Sequence, residues 1–292
     1  MKKPALVWQQ KDFGIFSNLF EGPVVCGQNL LFTDPLAKKI YQLELSALKN
    51  RSRKAQPKEV FEGQKINGLT LDESGQLNGC RMSNSPAIVK VNLDDEKTET
   101  LSDISCDKHR FNSPNDLVWD SKFEQLFFTD PKIPNPWGKR ECVYSLQLNA
   151  HSAKCCFRLK RPNGIAIRRG ENGNPDYLYV SESKKGRIHM FEILGPGKVE
   201  NHRILACGLP QPLDGMKVGP DDRLYFTSGT KVLRVNLDDG KKRPIPDTVC
   251  DLHCFWSKPS NLCFVDDHSI AITGYGRAAM VGRLFYLELE GR

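Results

Sequence analysis

Asn163-Gly164-Ile165-Ala166-Ile167 is followed by the turn-rich Arg169-Gly170-Glu171-Asn172-Gly173-Asn174-Pro175, and then by Tyr177-Leu178-Tyr179-Val180-Ser181. Arg187-Ile188-His189-Met190-Phe191-Glu192-Ile193 comes next, and His202-Arg203-Ile204-Leu205-Ala206-Cys207 closes the series. Short runs rich in branched and aromatic residues, separated by Gly, Asn and Pro, predict antiparallel strands joined by tight turns. The order recurs on both sides. Gly215-Met216-Lys217-Val218 leads to Leu224-Tyr225-Phe226-Thr227 and Val232-Leu233-Arg234-Val235, while upstream Asp116-Leu117-Val118-Trp119 leads to Leu126-Phe127-Phe128-Thr129 and Val143-Tyr144-Ser145-Leu146. No segment keeps a helical period over three turns, so the chain is expected to be nearly all β.

Each series opens on an oxygen-bearing side chain: Glu21, Asn67, Asn115, Asn163, Asp214 and Asn261, at intervals of 46, 48, 48, 51 and 47 residues. A unit of this length cannot bury its apolar faces alone and must stack on its neighbours. Six units of four antiparallel strands predict a six-bladed β-propeller, one domain over residues 1–292, in which circular closure removes the exposed sheet edges. The sixth unit supplies Leu262-Cys263-Phe264-Val265, Ile270-Ala271-Ile272-Thr273 and Leu284-Phe285-Tyr286-Leu287, one strand short; Ala5-Leu6-Val7-Trp8 at the other terminus is predicted to fill the place. The first strand of a blade lines the channel, so the six opening residues are expected to converge on the axis. Asn or Asp before Gly also makes ordinary turns, but six such positions in register favour a ligand site.

Composition narrows the alternatives. After Lys2 and Lys3 only four apolar residues precede Gln9 and Gln10, too few for a signal peptide core. No apolar run nears the ~20 residues that span a bilayer, and a cytoplasmic, membrane-independent protein is the expectation. The net charge of +7 is spread along the chain. Its densest patch, Lys49, Arg51, Arg53, Lys54 and Lys58, reads as a solvated outer loop and not as a nucleic-acid surface, which would interleave basic and aromatic side chains. The ten cysteines include no Cys-x-x-Cys. Cys26, Cys142 and Cys263 lie inside aliphatic strands as small hydrophobes, so reduced thiols are expected, and the adjacent Cys155 and Cys156 should face opposite sides of their strand.

Carboxylate and amide oxygens without imidazole or thiolate suit a hard cation, calcium or magnesium, better than zinc or copper. Calcium takes six to eight oxygens at roughly 2.3 to 2.6 Å in loose geometry, which donors from separate blades can supply. In their order along the chain, Glu21-Gly22-Pro23, Ser113-Pro114-Asn115-Asp116, Arg161-Pro162-Asn163-Gly164-Ile165-Ala166 and Asp214-Gly215-Met216 resemble the four metal-site motifs of the senescence marker protein, gluconolactonase and luciferin-regenerating-enzyme family. Within that superfamily, the stretch from Arg161 to Pro210 and Lys258-Pro259-Ser260-Asn261-Leu262 also resemble the squid-type diisopropylfluorophosphatase. The resemblance implies a six-bladed propeller with one catalytic Ca2+ held by Glu21, Asn163 and Asp214. It makes Asn115 a fourth ligand or a substrate contact, and other divalent cations are possible substitutes. The fluorophosphatase type carries a second, structural calcium, with a carboxylate and a histidine at the positions that are Lys217 and Cys263 here. An ammonium and a thiol do not reproduce that site, so one ion per chain is expected.

The implied activity is hydrolysis of a small-molecule lactone or ester. Asp214 would serve as general base or as direct nucleophile, and the residues leave both routes open. Asn67 and Asn261 complete the ring, and Arg161, Asp130, His253 and Trp256 are candidates for the pocket mouth. The remaining histidines, His109, His151, His189, His202 and His268, read as packing or surface groups. Loops such as residues 131–141, with Pro131, Pro134, Pro136 and Trp137, are expected to set specificity. Two alternatives stand beside the lactonase reading. One is a phosphotriester or fluorophosphate hydrolase on the same ion. The other is a non-catalytic propeller that binds partners; its usual Trp-Asp repeat is missing, since Trp119-Asp120 ends a first strand.

Overall fold

A computed structural model describes residues 3–9, 18–51, 56–82, 85–132, 140–171, 173–237, 244–276 and 281–289. Its strands form six four-stranded antiparallel sheets, and the chain is a six-bladed β-propeller. The inner strands are Glu21–Cys26, Ile66–Leu71, Leu117–Asp120, Pro162–Arg168, Leu213–Val218 and Ser257–Asp266. Each touches the inner strand before and after it, and Ser257–Asp266 returns to Glu21–Cys26, so the circle is closed. The sixth blade takes its outermost strand from the N-terminal segment: Ala5–Gln9 pairs with Gly282–Glu288, with Ala5 opposite Tyr286 and Gln9 opposite Arg283.

The strands are apolar on both faces because each face belongs to a different core. Six buried clusters lie between successive blades. Phe127 packs into the cluster between blades three and four, while its neighbour Phe128 packs into that between blades two and three. Tyr225 and Phe226 divide in the same way between the cores on either side of blade five. Successive side chains of a strand point to opposite faces, which converts an aliphatic run into two half-interfaces. Cys155 and Cys156 also separate to the cores on either side of blade three.

Two details differ from the sequence reading. Leu45–Lys49 forms a five-residue helix after the third strand of blade one, with Leu45 and Leu48 buried. It carries the start of the basic patch, whose Lys49 pairs with Asp266 at 2.8 Å and Arg51 with Glu288 at 2.7 Å. The patch therefore links blade one to blade six, and Lys58 opens the strand Lys58–Glu62. Arg53 and Lys54 lie outside the described residues, as does most of the 131–141 loop, including Pro134, Pro136 and Trp137.

Candidate active site

At the axis, hydrogen bonds between neighbouring blades hold the inner strands together beside the ring residues. Thr33 Oγ1 of blade one donates to the Asn67 carbonyl of blade two at 2.7 Å, and Thr129 of blade three does the same to Asn163 of blade four at 2.8 Å. Asn67 Nδ2 and the Gly68 N–H both donate to the Asn115 carbonyl, at 3.0 and 2.9 Å. Ser260 Oγ donates to the Phe20 carbonyl and closes the circle from blade six to blade one.

The glycines that follow four of the ring residues have a role other than turns. A Cβ on Gly164 would lie 2.1 Å from the Asp214 carbonyl oxygen, one on Gly215 2.0 Å from Asn261 Oδ1, and one on Gly68 2.8 Å from the Asn115 carbonyl oxygen. Only Gly22 of this set has a left-handed φ, at 47°. The other three are needed because consecutive inner strands approach too closely for a side chain there.

Blade three breaks this pattern with Asp116 in the glycine position. Its buried side chain crosses the axis, and Asn261 Nδ2 of the opposite blade donates to Asp116 Oδ2 at 3.4 Å. Three carboxylates, Glu21, Asp116 and Asp214, thus share a channel walled by amides. Burial, and then repulsion from Asp214 and Asp116, holds the Glu21 carboxyl well above the ordinary range. Asp214 is pushed up to about 8 by burial and by Asp116, against a hydrogen bond from the Asn163 side chain. Asp116 is also raised by burial, opposed by the nearby Lys217 ammonium and by the hydrogen bond from Asn261. Lys217 therefore supplies positive charge on the Asp116 side of the channel, and it also faces Cys263. Tyr275 also feels this charge: its hydroxyl is pushed up to about 12 by burial, with Asp214 and Glu21 adding to the rise.

Buried acids raised by desolvation and mutual repulsion make a cavity chemically suited to a cation, which would relieve both effects. Glu21, Asp214 and the amides of Asn163 and Asn115 are a hard, all-oxygen donor set that fits calcium. Among the described residues, no three His, Cys, Asp or Glu side chains form a metal cage by themselves. A cation here must draw on the asparagine oxygens.

The candidates at the mouth divide. Asp130 is fully buried, and it accepts the backbone N–H groups of Asn112, at 2.9 and 3.0 Å, and of Ser113, at 2.7 Å. It is therefore not a mouth residue; it fixes the approach to Asn115. Arg161 has φ 47°, and its backbone N–H donates to Glu141 Oε1 at 3.0 Å, which holds the entry to Asn163. His253 and Trp256 sit in the short segment before the sixth inner strand, which extends four residues ahead of Asn261; the Trp256 indole is 71% exposed. Asp116 and Tyr275 were not assigned from sequence. Asp116 is legible as the one acid in a column that holds glycine in four blades and Leu262 in the sixth. Tyr275 is not, because it reaches the site through a hairpin whose partner strand is extended at Ser257–Pro259.

The family model described as the SMP-30/gluconolactonase/LRE-like region matches residues 19–265. The chain belongs to this family. The match begins just before Glu21 and ends in the sixth inner strand, so it spans all six ring positions of this chain. Diisopropyl-fluorophosphatase of Loligo vulgaris is 32% identical over 108 residues, which are 35% of this chain and 32% of that protein. The likeness to it thus spans about a third of its length. Among solved structures, a gluconolactonase of Xanthomonas campestris superposes with a TM-score of 0.76 at 21% identity, over 99% of this chain and 96% of the other. The calcium-binding protein regucalcin of Agrobacterium tumefaciens gives 0.69 at 12% identity, covering 100% and 95%. At these identities the superpositions show the family's fold.

Proposed function

We propose that the protein is a calcium-dependent hydrolase that opens a small lactone or related ester. The observation that carries this is the convergence of the Glu21 and Asp214 carboxylates, raised by burial, in a channel of asparagine amides. Membership of the gluconolactonase-containing family supports the reaction class, and the calcium-binding relative supports the ion. Glu21, Asn163, Asp214 and Asn115 would hold it. A bound calcium would polarise the ester carbonyl and stabilise the developing oxyanion.

The chain's own residues divide the remaining work. Asp214 stands nearest to a base in chemistry: ionised, it takes a proton from the attacking water, or it attacks the carbonyl itself. The hydrogen bond from Asn163 fixes its orientation. Asp116, tied to Asn261 and neighboured by Lys217, adds its charge to that of Asp214 and Glu21 and keeps its side of the channel polar. The Tyr275 hydroxyl, near Asp214 and Glu21, is placed to orient a substrate oxygen. Asn67, Asn261, Arg161, His253 and Trp256 line the approach. Lys217 and Cys263 disfavour a second ion, so calorimetric titration should give one calcium per chain; two would remove this assignment.

The test is turnover of a lactone panel with calcium and with chelator, for the native protein and Asp214→Asn. Loss of activity with chelator, and a fall of about 10²-fold or more in the variant, is expected for a group acting in the transition state. Activity that survives both would overturn the reading. The likeness to Loligo diisopropyl-fluorophosphatase favours a second substrate class, fluorophosphates. An organophosphate panel under the same conditions separates the two.

A further inference from the structure

Outside the axis, blade three carries a pair of cysteines. Cys142 opens the third strand of the blade, Cys142–Gln147, and Cys155 lies in the fourth, Lys154–Arg158. Val143 pairs with Phe157 and Tyr144 with Cys155, so Cys156 is the extra residue of a bulge between them. A bulge re-aims the side chains beside it. Here it sends Cys156 to one core and brings Cys155 onto the same face as Cys142, with the two sulfurs 2.6 Å apart. Cys142 is fully buried and Cys155 is partly exposed.

We propose that Cys142 and Cys155 are a dithiol modification site, closed to a disulfide by a peroxide and reopened by a small-molecule dithiol. The Cys155 sulfur, the accessible member, attacks one oxygen of hydrogen peroxide: an S–O bond forms, the O–O bond breaks, and the departing hydroxide leaves as water with the thiol proton. Cys155 is then a sulfenic acid. Cys142, already in contact, attacks the Cys155 sulfur: the S–S bond forms, the S–O bond breaks, and a second water leaves with the Cys142 proton. The two thiols lose two electrons in all and the peroxide gains them. Burial of the second sulfur does not oppose this route, because only the first thiol has to meet the oxidant. In the reduced pair this contact pushes the Cys142 thiol down to about 7 and the Cys155 thiol up, so the two sulfurs share the Cys155 proton until the departing hydroxide takes it. Cys142 lies opposite Asp130 and next to Glu141, the two acids that pin the approaches to Asn115 and Asn163. The disulfide would therefore tie the outer edge of the blade beside the candidate active site.

The full-length protein is treated with hydrogen peroxide, the remaining thiols are alkylated, and the digest is mapped by mass. Eight of the ten cysteines are expected to take the label, with one cross-linked peptide joining Cys142 to Cys155. Dithiothreitol should restore ten labelled sites. In Cys142→Ser, Cys155 has no resolving partner and is expected to accumulate as a sulfenic acid trapped by dimedone. Full labelling of Cys142 and Cys155 after peroxide, or a cross-link joining a different pair, would overturn the proposal. The native digest decides this without the variant.

Discussion

Asp214 sits in the channel at a cost to the metal-free protein, and the direction of that cost is measurable. Its carboxyl is raised from 3.8 to about 8, by burial first and Asp116 second. A native state with the raised value binds more protons than the unfolded chain between the two, so its stability falls as pH rises from about 4 to 8. Asp214→Asn removes the titration. In chelator, the variant's melting temperature should rise relative to the native protein as pH goes from 5 to 8. Added calcium at pH 8 should reverse the order, because only the native protein can offer the carboxylate. A difference between the two proteins that does not change with pH would rule out this account. At this scale the sequence was legible where chemistry repeats. The six ring positions stand out by spacing, but Asp130 does not reveal that its oxygens are taken by the backbone of Asn112 and Ser113. That fact depends on a chain reversal some 18 residues long, which no local pattern encodes.

The inner strand is the element on which the site depends, and its glycines set how closely the blades approach. Gly164→Ala would put a methyl 2.1 Å from the Asp214 carbonyl oxygen, a backbone atom that cannot rotate aside. Relief requires the fourth and fifth inner strands to part, which should destabilise by about 2 kcal/mol or more in urea unfolding. It should also weaken calcium binding, since Asn163 and Asp214 move apart. Gly195→Ala is the matched control: its methyl would meet nothing within 4 Å, and its effect should stay within about 0.5 kcal/mol. Equal effects at the two positions would show that close approach is not what Gly164 provides. Strands were readable from sequence because each face of a run such as Leu126-Phe127-Phe128 must satisfy its own core, leaving unbroken apolar letters bounded by turns. The helix Leu45–Lys49 was not, since five residues are too few to display a period, and its burial of Leu45 and Leu48 is decided by contacts with distant blades.

For the whole molecule, the question is what keeps six blades in a ring, since a propeller opened at one seam would spread its axial donors. The seam is at blade six, where a strand from the start of the chain joins three from the end. Val7 is 1% exposed, and the Trp8 indole stacks on Phe20 of blade one with ring centroids 5.0 Å apart. The short N-terminal strand thus binds both its own sheet and the first blade. Fully burying one Val or Leu side chain contributes about 1.5–3 kcal/mol, and this strand brings several apolar groups together with a ladder of backbone hydrogen bonds. Removing residues 1–10 should therefore cost at least about 5 kcal/mol, which lowers the melting temperature by roughly 10 °C or more at about 2 °C per kcal/mol. Because Phe20 also lies next to Glu21, the loss should reach the axis, weakening calcium affinity as well as stability. Trp8→Ala keeps the ladder and loses the stacking, so its melting temperature should fall between those of the native and truncated proteins. A synthetic peptide of residues 1–10 added in excess should recover part of the truncated protein's melting temperature, since the slot it fills is preformed by Gly282–Glu288. A truncated protein that melts with the native one would mean that the ring is held by its inter-blade cores alone.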